Sequence, residues 1–440
     1  QVPRKREDDE QVAMGGQGNG PGFWRVATLV GLGMFLTFLS SGPSHLGTRA
    51  TRATRPPRTR GLLLRTAAEL TSAPRPTSSS SALQIPLFDL DNVDLKGLSR
   101  ACQEIGFFSV RGHGVDLELA RDVANLASVG VFDKEYEEKL KLVVGDMQRS
   151  RGYEMSPEHI AYMESVAKRG GLPSSEPSAK LGILNERFCV GPGTCPEKYQ
   201  GRREQDLFFP ENVYPEDCDR ELIEKCERLY DQMTAASRRV LRALARCVDA
   251  EDAYFCPEAA HQCSNMQVAN YPSQVESGDD DADALRPMRV KAHADSGTVT
   301  LLIRQASTEQ QSKGGLWIQT KDGEWSRVAS LPEGYILVNI GNLLTRWTNG
   351  KFQSTKHMVT NPETGPGTRR VSIAYFQKPD PDALIRPVGD EEAKIRARDL
   401  MRVGILDRLI NEEGMTNEEA RHEYHRIIKS PYLSERGDGT

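Results

Sequence analysis

From Asn265 to Gln377 the chain reads as a succession of short β-runs broken by turn residues: 265–271, 288–293, 298–303, 315–319, 325–328, 335–340, 356–360 and 369–377. About eight strands of that length, with Gly- and Pro-rich turns, predict a sandwich or jelly roll. The sequence before them is of another kind. Ile85–Leu90 and Phe107–Val110 read as strands, the second ending at the Gly112-His113-Gly114 turn, with Val93–Ile105 a helix between them. Residues 116–143 and 217–249 carry helical periodicity, and 165–215 are loop-rich. The fold class expected is α+β.

Inside the β-rich stretch stands His293-Ala-Asp295, with His357 in Ser354-Thr-Lys-His-Met-Val and Arg370-Val-Ser372 beyond it. Residues i and i+2 of a strand share a face, so His293 and Asp295 can reach one ion, and a His from a distant strand can supply a third donor. Two imidazoles and a carboxylate form the facial triad that holds non-haem Fe(II) with coordination positions left open. Arg370 and Ser372 repeat the i, i+2 geometry, and a guanidinium fork beside a hydroxyl suits a buried carboxylate. Arg369 would point the other way. His113, between two glycines, is expected to serve the turn. Lys291 shares the face of His293: strand twist carries it to a solvated rim, or its ammonium anchors an acidic substrate.

In order and spacing these segments, with Gly314-Gly-Leu-Trp, Gly334-Tyr-Ile-Leu-Val-Asn-Ile-Gly-Asn and the upstream Glu104-Ile-Gly-Phe-Phe-Ser-Val-Arg-Gly-His-Gly, resemble the iron- and 2-oxoglutarate-dependent dioxygenases of the isopenicillin N synthase-like superfamily. The resemblance covers roughly residues 85–380. It implies a double-stranded β-helix (jelly roll) core with flanking helices and an N-terminal α/β region. The implied division is a presequence at 1–84, an N-terminal dioxygenase region at 85–215, a helical connection at 216–261, the jelly roll at 262–385 and a helical tail at 386–440. It also implies Fe(II) on His293, Asp295 and His357, with the distal carboxylate of 2-oxoglutarate on Arg370, Ser372 and Tyr271. Asn270 is shifted by one from the family's Asn, whose position Ala269 holds, so the family's role for that Asn is not carried over to it. The implied reaction couples oxidative decarboxylation of 2-oxoglutarate, with O2 and supportive ascorbate, to hydroxylation or desaturation of a small organic metabolite. A synthase-type oxidase that does without 2-oxoglutarate, and a binding protein on the same scaffold, remain the alternatives.

The net charge of −5 hides an asymmetry: residues 1–84 carry eleven Lys/Arg against five Asp/Glu, leaving −11 on the rest. An acidic body repels phosphate backbones, so a nucleic-acid partner is not expected, and no protein partner is implied. The eight cysteines, at 102, 189, 195, 218, 226, 247, 256 and 263, show no C-x-x-C pair and read as reduced thiols. Val26–Leu39 is a fourteen-residue apolar run of signal-segment length, extended by uncharged residues to Thr48, so a transmembrane anchor over 26–48 is one expectation. Residues 44–84 hold seven arginines and one acid, Glu69, the composition of a transit peptide. Together they resemble the bipartite plastid presequence of an alga; the alternative is a membrane-anchored protein whose catalytic domain faces the cytosol.

Overall fold

Acidic residues set where the helices begin. Asp94 accepts from the Gly97 N–H ahead of α1 (Leu95–Glu104), Asp116 from Glu118 and Leu119 ahead of α2 (Leu117–Ala127), and each satisfies an orphan donor of a first turn. The computed structural model describes residues 82–142, 151–155, 185–257, 261–272, 288–304, 315–360, 369–390, 392 and 394–401. Its remaining helices are α3 (Tyr136–Lys141), α4 (Arg203–Phe208), α5 (Arg220–Arg246) and α6 (Asn342–Trp347). The strands are β1 (Leu87–Asp89), β2 (Phe107–Arg111), β3 (Gly152–Met155), β4 (Glu186–Val190), β5 (Asn265–Tyr271), β6 (Met288–His293) and β7 (Val299–Arg304). They continue as β8 (Gly315–Gln319), β9 (Trp325–Arg327), β10 (Ile336–Ile340), β11 (His357–Thr360), β12 (Arg370–Phe376) and the short pair β13 (Leu384–Ile385) and β14 (Ile395–Arg396).

An eight-stranded sheet runs β1-β2-β10-β7-β12-β5-β4-β3, and a four-stranded sheet runs β6-β11-β8-β9. The alternation of each strand decides what its two faces meet. Val371, Ile373 and Tyr375 of β12, with Val299 and Leu301 of β7, share a buried cluster with Leu229, Met233 and Val240 of α5. The opposite face turns towards the smaller sheet, where Phe107 and Leu337 pack with Leu316 and Ile318. The result is an α+β fold with a jelly-roll core: helices cover one face of the large sheet, and two sheets enclose a chamber.

The strands expected from 265 to 377 form with no end shifted by more than one residue. Three features differ. The helix expected over 116–143 breaks after Ala127 into a π-helical turn, Ser128–Phe132, before α3. Val129, Gly130 and Val131 are poor helix formers, and the Ser128 hydroxyl donates back to the Ala124 carbonyl at 2.8 Å, which loosens that turn. Strand β3 precedes the expected loop-rich stretch and β4 lies within it; both extend the large sheet, β4 pairing antiparallel with β5. The tail expected to be helical from 386 first forms β14, paired to β13, and turns helical at 397–401; residues 402–440 lie outside the described residues.

Among the described residues no helix is long and apolar enough to cross a membrane. The longest, α5, has 27 residues but buries only one stripe and carries Arg, Lys, Glu and Asp on its other side. The expectation of a transmembrane segment is corrected accordingly. Its basis, the run 26–48, lies outside the described residues, and its fourteen apolar residues fall short of the ~20 a span requires. Nothing supports the transit-peptide expectation, whose residues lie almost wholly outside the described ones. All eight cysteines are free.

Candidate metal centre

The two histidines meet because β6 and β11 are antiparallel neighbours in a register that makes His293 and His357 direct cross-strand partners. Their ring centroids lie 4.3 Å apart. Asp295, two residues beyond His293, brings its Oδ1 to 3.5 Å from His293 Nε2 and 3.9 Å from His357 Nε2. The donor atoms of all three lie within 4.8 Å of one another.

Main-chain and side-chain partners aim these donors. His293 Nδ1 lies 2.8 Å from the Lys291 carbonyl oxygen and His357 Nδ1 lies 3.2 Å from that of Thr355. A carbonyl only accepts, so each Nδ1 carries the proton and each Nε2 turns a lone pair towards Asp295. Asp295 Oδ2 accepts from Thr300 Oγ1 at 2.5 Å and Asn339 Nδ2 at 2.7 Å, which leaves Oδ1 to face the imidazoles. Thr300 and Asn339 are themselves cross-strand partners in β7 and β10, so the register of the large sheet orients the carboxylate. Phe107 sets its ring edge-on to His357 at 5.4 Å.

Burial pushes the Asp295 carboxyl up, but the imidazoles of His357 and His293 and the Asn339 hydrogen bond outweigh it and hold it below the usual carboxylate range. Burial, and then the neighbouring His293, press His357 down to about 4, so near neutral pH that ring is uncharged. An ionised carboxylate and lone-pair-bearing Nε2 atoms converging from one side fit a divalent iron, and outer partners of this kind fix ligand orientation. The turn after Asp295 is pressed tightly against its neighbours: a Cβ on Gly341 would collide with the Gly297 carbonyl oxygen, and one on Gly297 would stand 2.7 Å from that of Gln377.

Arg370 is the cross-strand partner of Tyr271, and Ser372 that of Ala269. Arg370 reaches across the chamber, its Nη1 coming within 3.9 Å of where a Cβ on Gly315 of β8 would stand. Arg369 turns outward, donating to Asn270 Oδ1 at 2.8 Å and Asp133 Oδ1 at 2.7 Å, which gives Asn270 a structural task. His113 donates from Nε2 to the Gly334 carbonyl oxygen and accepts the Val115 N–H at Nδ1, closing the turn as expected. The Lys291 side chain is exposed.

Two family models match this sequence. Residues 263–379 match the 2OG-Fe(II) oxygenase superfamily, and residues 85–168 match the N-terminal region of non-haem dioxygenases, described as "non-haem dioxygenase in morphine synthesis N-terminal". Validamycin A dioxygenase of Streptomyces hygroscopicus subsp. limoneus is 30% identical over 291 residues, covering 66% of this chain and 72% of that protein. The chain belongs to the 2OG-Fe(II) oxygenase superfamily. Proline hydroxylase buaE of Petromyces alliaceus is 33% identical over 224 residues, 48% of this oxygenase and 63% of that protein. In fold, the oxygenase is similar to the crystal structure of a full-length Neurospora crassa protein in complex with alpha-KG and thymine, at a TM-score of 0.56 and 22% identity, covering 73% and 96% of the two chains. This is a dioxygenase dependent on Fe(II) and 2-oxoglutarate.

Sequence reasoning missed Thr300 and Asn339. Thr300 and Asn339 depend on a pairing between strands 39 residues apart, for which no local signal exists.

Proposed function

We propose that His293, Asp295 and His357 hold the Fe(II), that Arg370, Ser372 and Tyr271 receive the distal carboxylate of 2-oxoglutarate, and that the substrate oxidised is a small organic metabolite, with hydroxylation the default outcome. The observation that carries the residue assignment is spatial order along the strands. Thr300, which touches Asp295, and Arg304, which pairs with Ser372, are separated by four residues of β7, about 13 Å of strand. A five-carbon dicarboxylate held at both levels would span what the inward-reaching side chains leave of that separation. When bound, the iron supplies the oxygen chemistry. The protein's share is orientation: Thr300 and Asn339 hold Asp295, two main-chain carbonyls hold the imidazole protons away from the centre, and Arg370 fixes the far end of the keto acid. The substrate class is supported by the names of the two relatives, each of which refers to a small molecule.

Purified enzyme with Fe(II), ascorbate and a metabolite panel tests this reading. One succinate should form per oxidised product, with one atom of labelled O2 in a hydroxylated product. Product formed without succinate would favour a synthase-type oxidation instead.

A further inference from the structure

Arg289 stands four residues before His293 on β6, and Arg304 four residues after Thr300 on β7. Side chains alternate, so each faces the chamber from the same side of its strand as the metal-level residue. Both therefore lie at the level of Arg370: Ser372 is the cross-strand partner of Arg304, and the Arg289 guanidinium lies 5.5 Å from the ring centroid of Tyr271. Three guanidiniums thus share the end of the chamber away from the metal donors. Burial, and then the charge of Arg370, pull both Arg289 and Arg304 down to about 10, with Arg327 adding to the repulsion on Arg304. All remain cationic at neutral pH. Arg304 Nη1 is buried without a hydrogen-bond partner, and among the described residues neither Arg304 nor Arg370 forms an ion pair. Two half-buried guanidiniums that repel one another, with no counter-charge among the described residues, are unfavourable, and an anionic ligand completes them.

We propose that Arg304 is a second guanidinium for the distal carboxylate of 2-oxoglutarate, acting from β7 beside Arg370 on β12, so that two cations make this oxygenase select a dicarboxylic keto acid over a monocarboxylic one. A carboxylate has two oxygens and about four lone-pair directions, enough for two forks. The proposal rests on the assignment of Arg370 to that carboxylate, and the test separates the two.

Anaerobic titration calorimetry on the Fe(II)-loaded protein would compare 2-oxoglutarate with 2-oxopentanoate, which has a methyl group where the distal carboxylate stands. The quantity read is the ratio of the two affinities. Arg304→Met should lower that ratio on the order of ten- to hundredfold, the loss expected for one charge-assisted contact, with 2-oxopentanoate binding unchanged. If the ratio falls in Arg370→Met and stays at the wild-type value in Arg304→Met, the proposal is overturned and the Arg370 assignment survives. If neither variant moves it, the assignment fails and the proposal with it. Should Arg304→Met not fold, Arg304→Gln keeps a donor and removes the charge; a fall is expected there too, and a wild-type ratio overturns the proposal.

Discussion

At the scale of single residues, the centre depends on how Asp295 is held as much as on its being present. One carboxylate oxygen takes two hydrogen bonds, from Thr300 and Asn339, and the other faces the imidazoles. Asn339→Leu should therefore weaken Fe(II) binding by about ten- to a hundredfold, the usual cost of losing an outer partner of a ligand. Competition against a chelator of known affinity checks this, and an unchanged affinity would mean that the Asn339 contact has no hold on the metal. The pairing of His293 with Asp295 was legible from local spacing, although β6 ends at His293 and Asp295 lies just beyond it; His357 was expected from a distant strand, and its place directly opposite His293 rests on the β6–β11 register. The partners of Asp295 were not legible. Thr300 and Asn339 reach it through the β7–β10 register, which emerges from packing of the whole sheet. His113 is the reverse case, a chemically able side chain spent on closing a turn.

At the scale of elements, two contacts position the site. The first is the seat of the large sheet on α5, in which Tyr230 and Thr234 meet Tyr375 of β12, and Leu229 and Met233 share one buried cluster with the outward residues of β12 and β7. Leu229→Ala should cost about 2–5 kcal/mol of stability, read as a lower denaturant midpoint, because it opens a cavity under the sheet. Loss of much less would mean that α5 can collapse onto the gap. The second is the close approach of Gly341 to Gly297. In Gly341→Ala the added carbon would collide with the Gly297 carbonyl oxygen, and the turn after Asp295 must move. We expect that variant to lose Fe(II) affinity at a stability cost smaller than that of Leu229→Ala, as the clash sits beside the ligand and outside the core. Wild-type metal affinity would show that the turn adapts without disturbing Asp295. Strands 265–377 were legible from their alternation and turn residues. β4 was not, since Glu186-Arg-Phe-Cys-Val opens with two charges and its place depends on pairing with β5. The break after α2 was written in Val129-Gly130-Val131, but the flanking periodicity masks it.

At the scale of the whole molecule, the two sheets contribute complementary parts. The small sheet brings both histidines; the large sheet brings the residues that orient Asp295 and, at the far level, Arg370, Ser372, Tyr271 and Arg304. Metal binding should accordingly clamp one sheet to the other. Added Fe(II), or Mn(II) as an air-stable substitute, should raise the melting temperature of the wild type and not of Asp295→Ala, because only a ligand bound to the native state stabilises it. The fold class and the chemistry were legible in the sequence because they reside in strand period and residue type. The arginine level was not, because it exists only once β6, β7 and β12 close round one chamber. The most direct measurement is release of carbon dioxide from carboxyl-labelled 2-oxoglutarate by purified wild type, His357→Ala and Asp295→Ala, each with Fe(II), ascorbate and O2 and no added substrate. We expect slow, iron-dependent release and matching succinate from the wild type and neither from the two variants. Equal release from Asp295→Ala, with the same iron dependence, would contradict the placement of the metal at this centre.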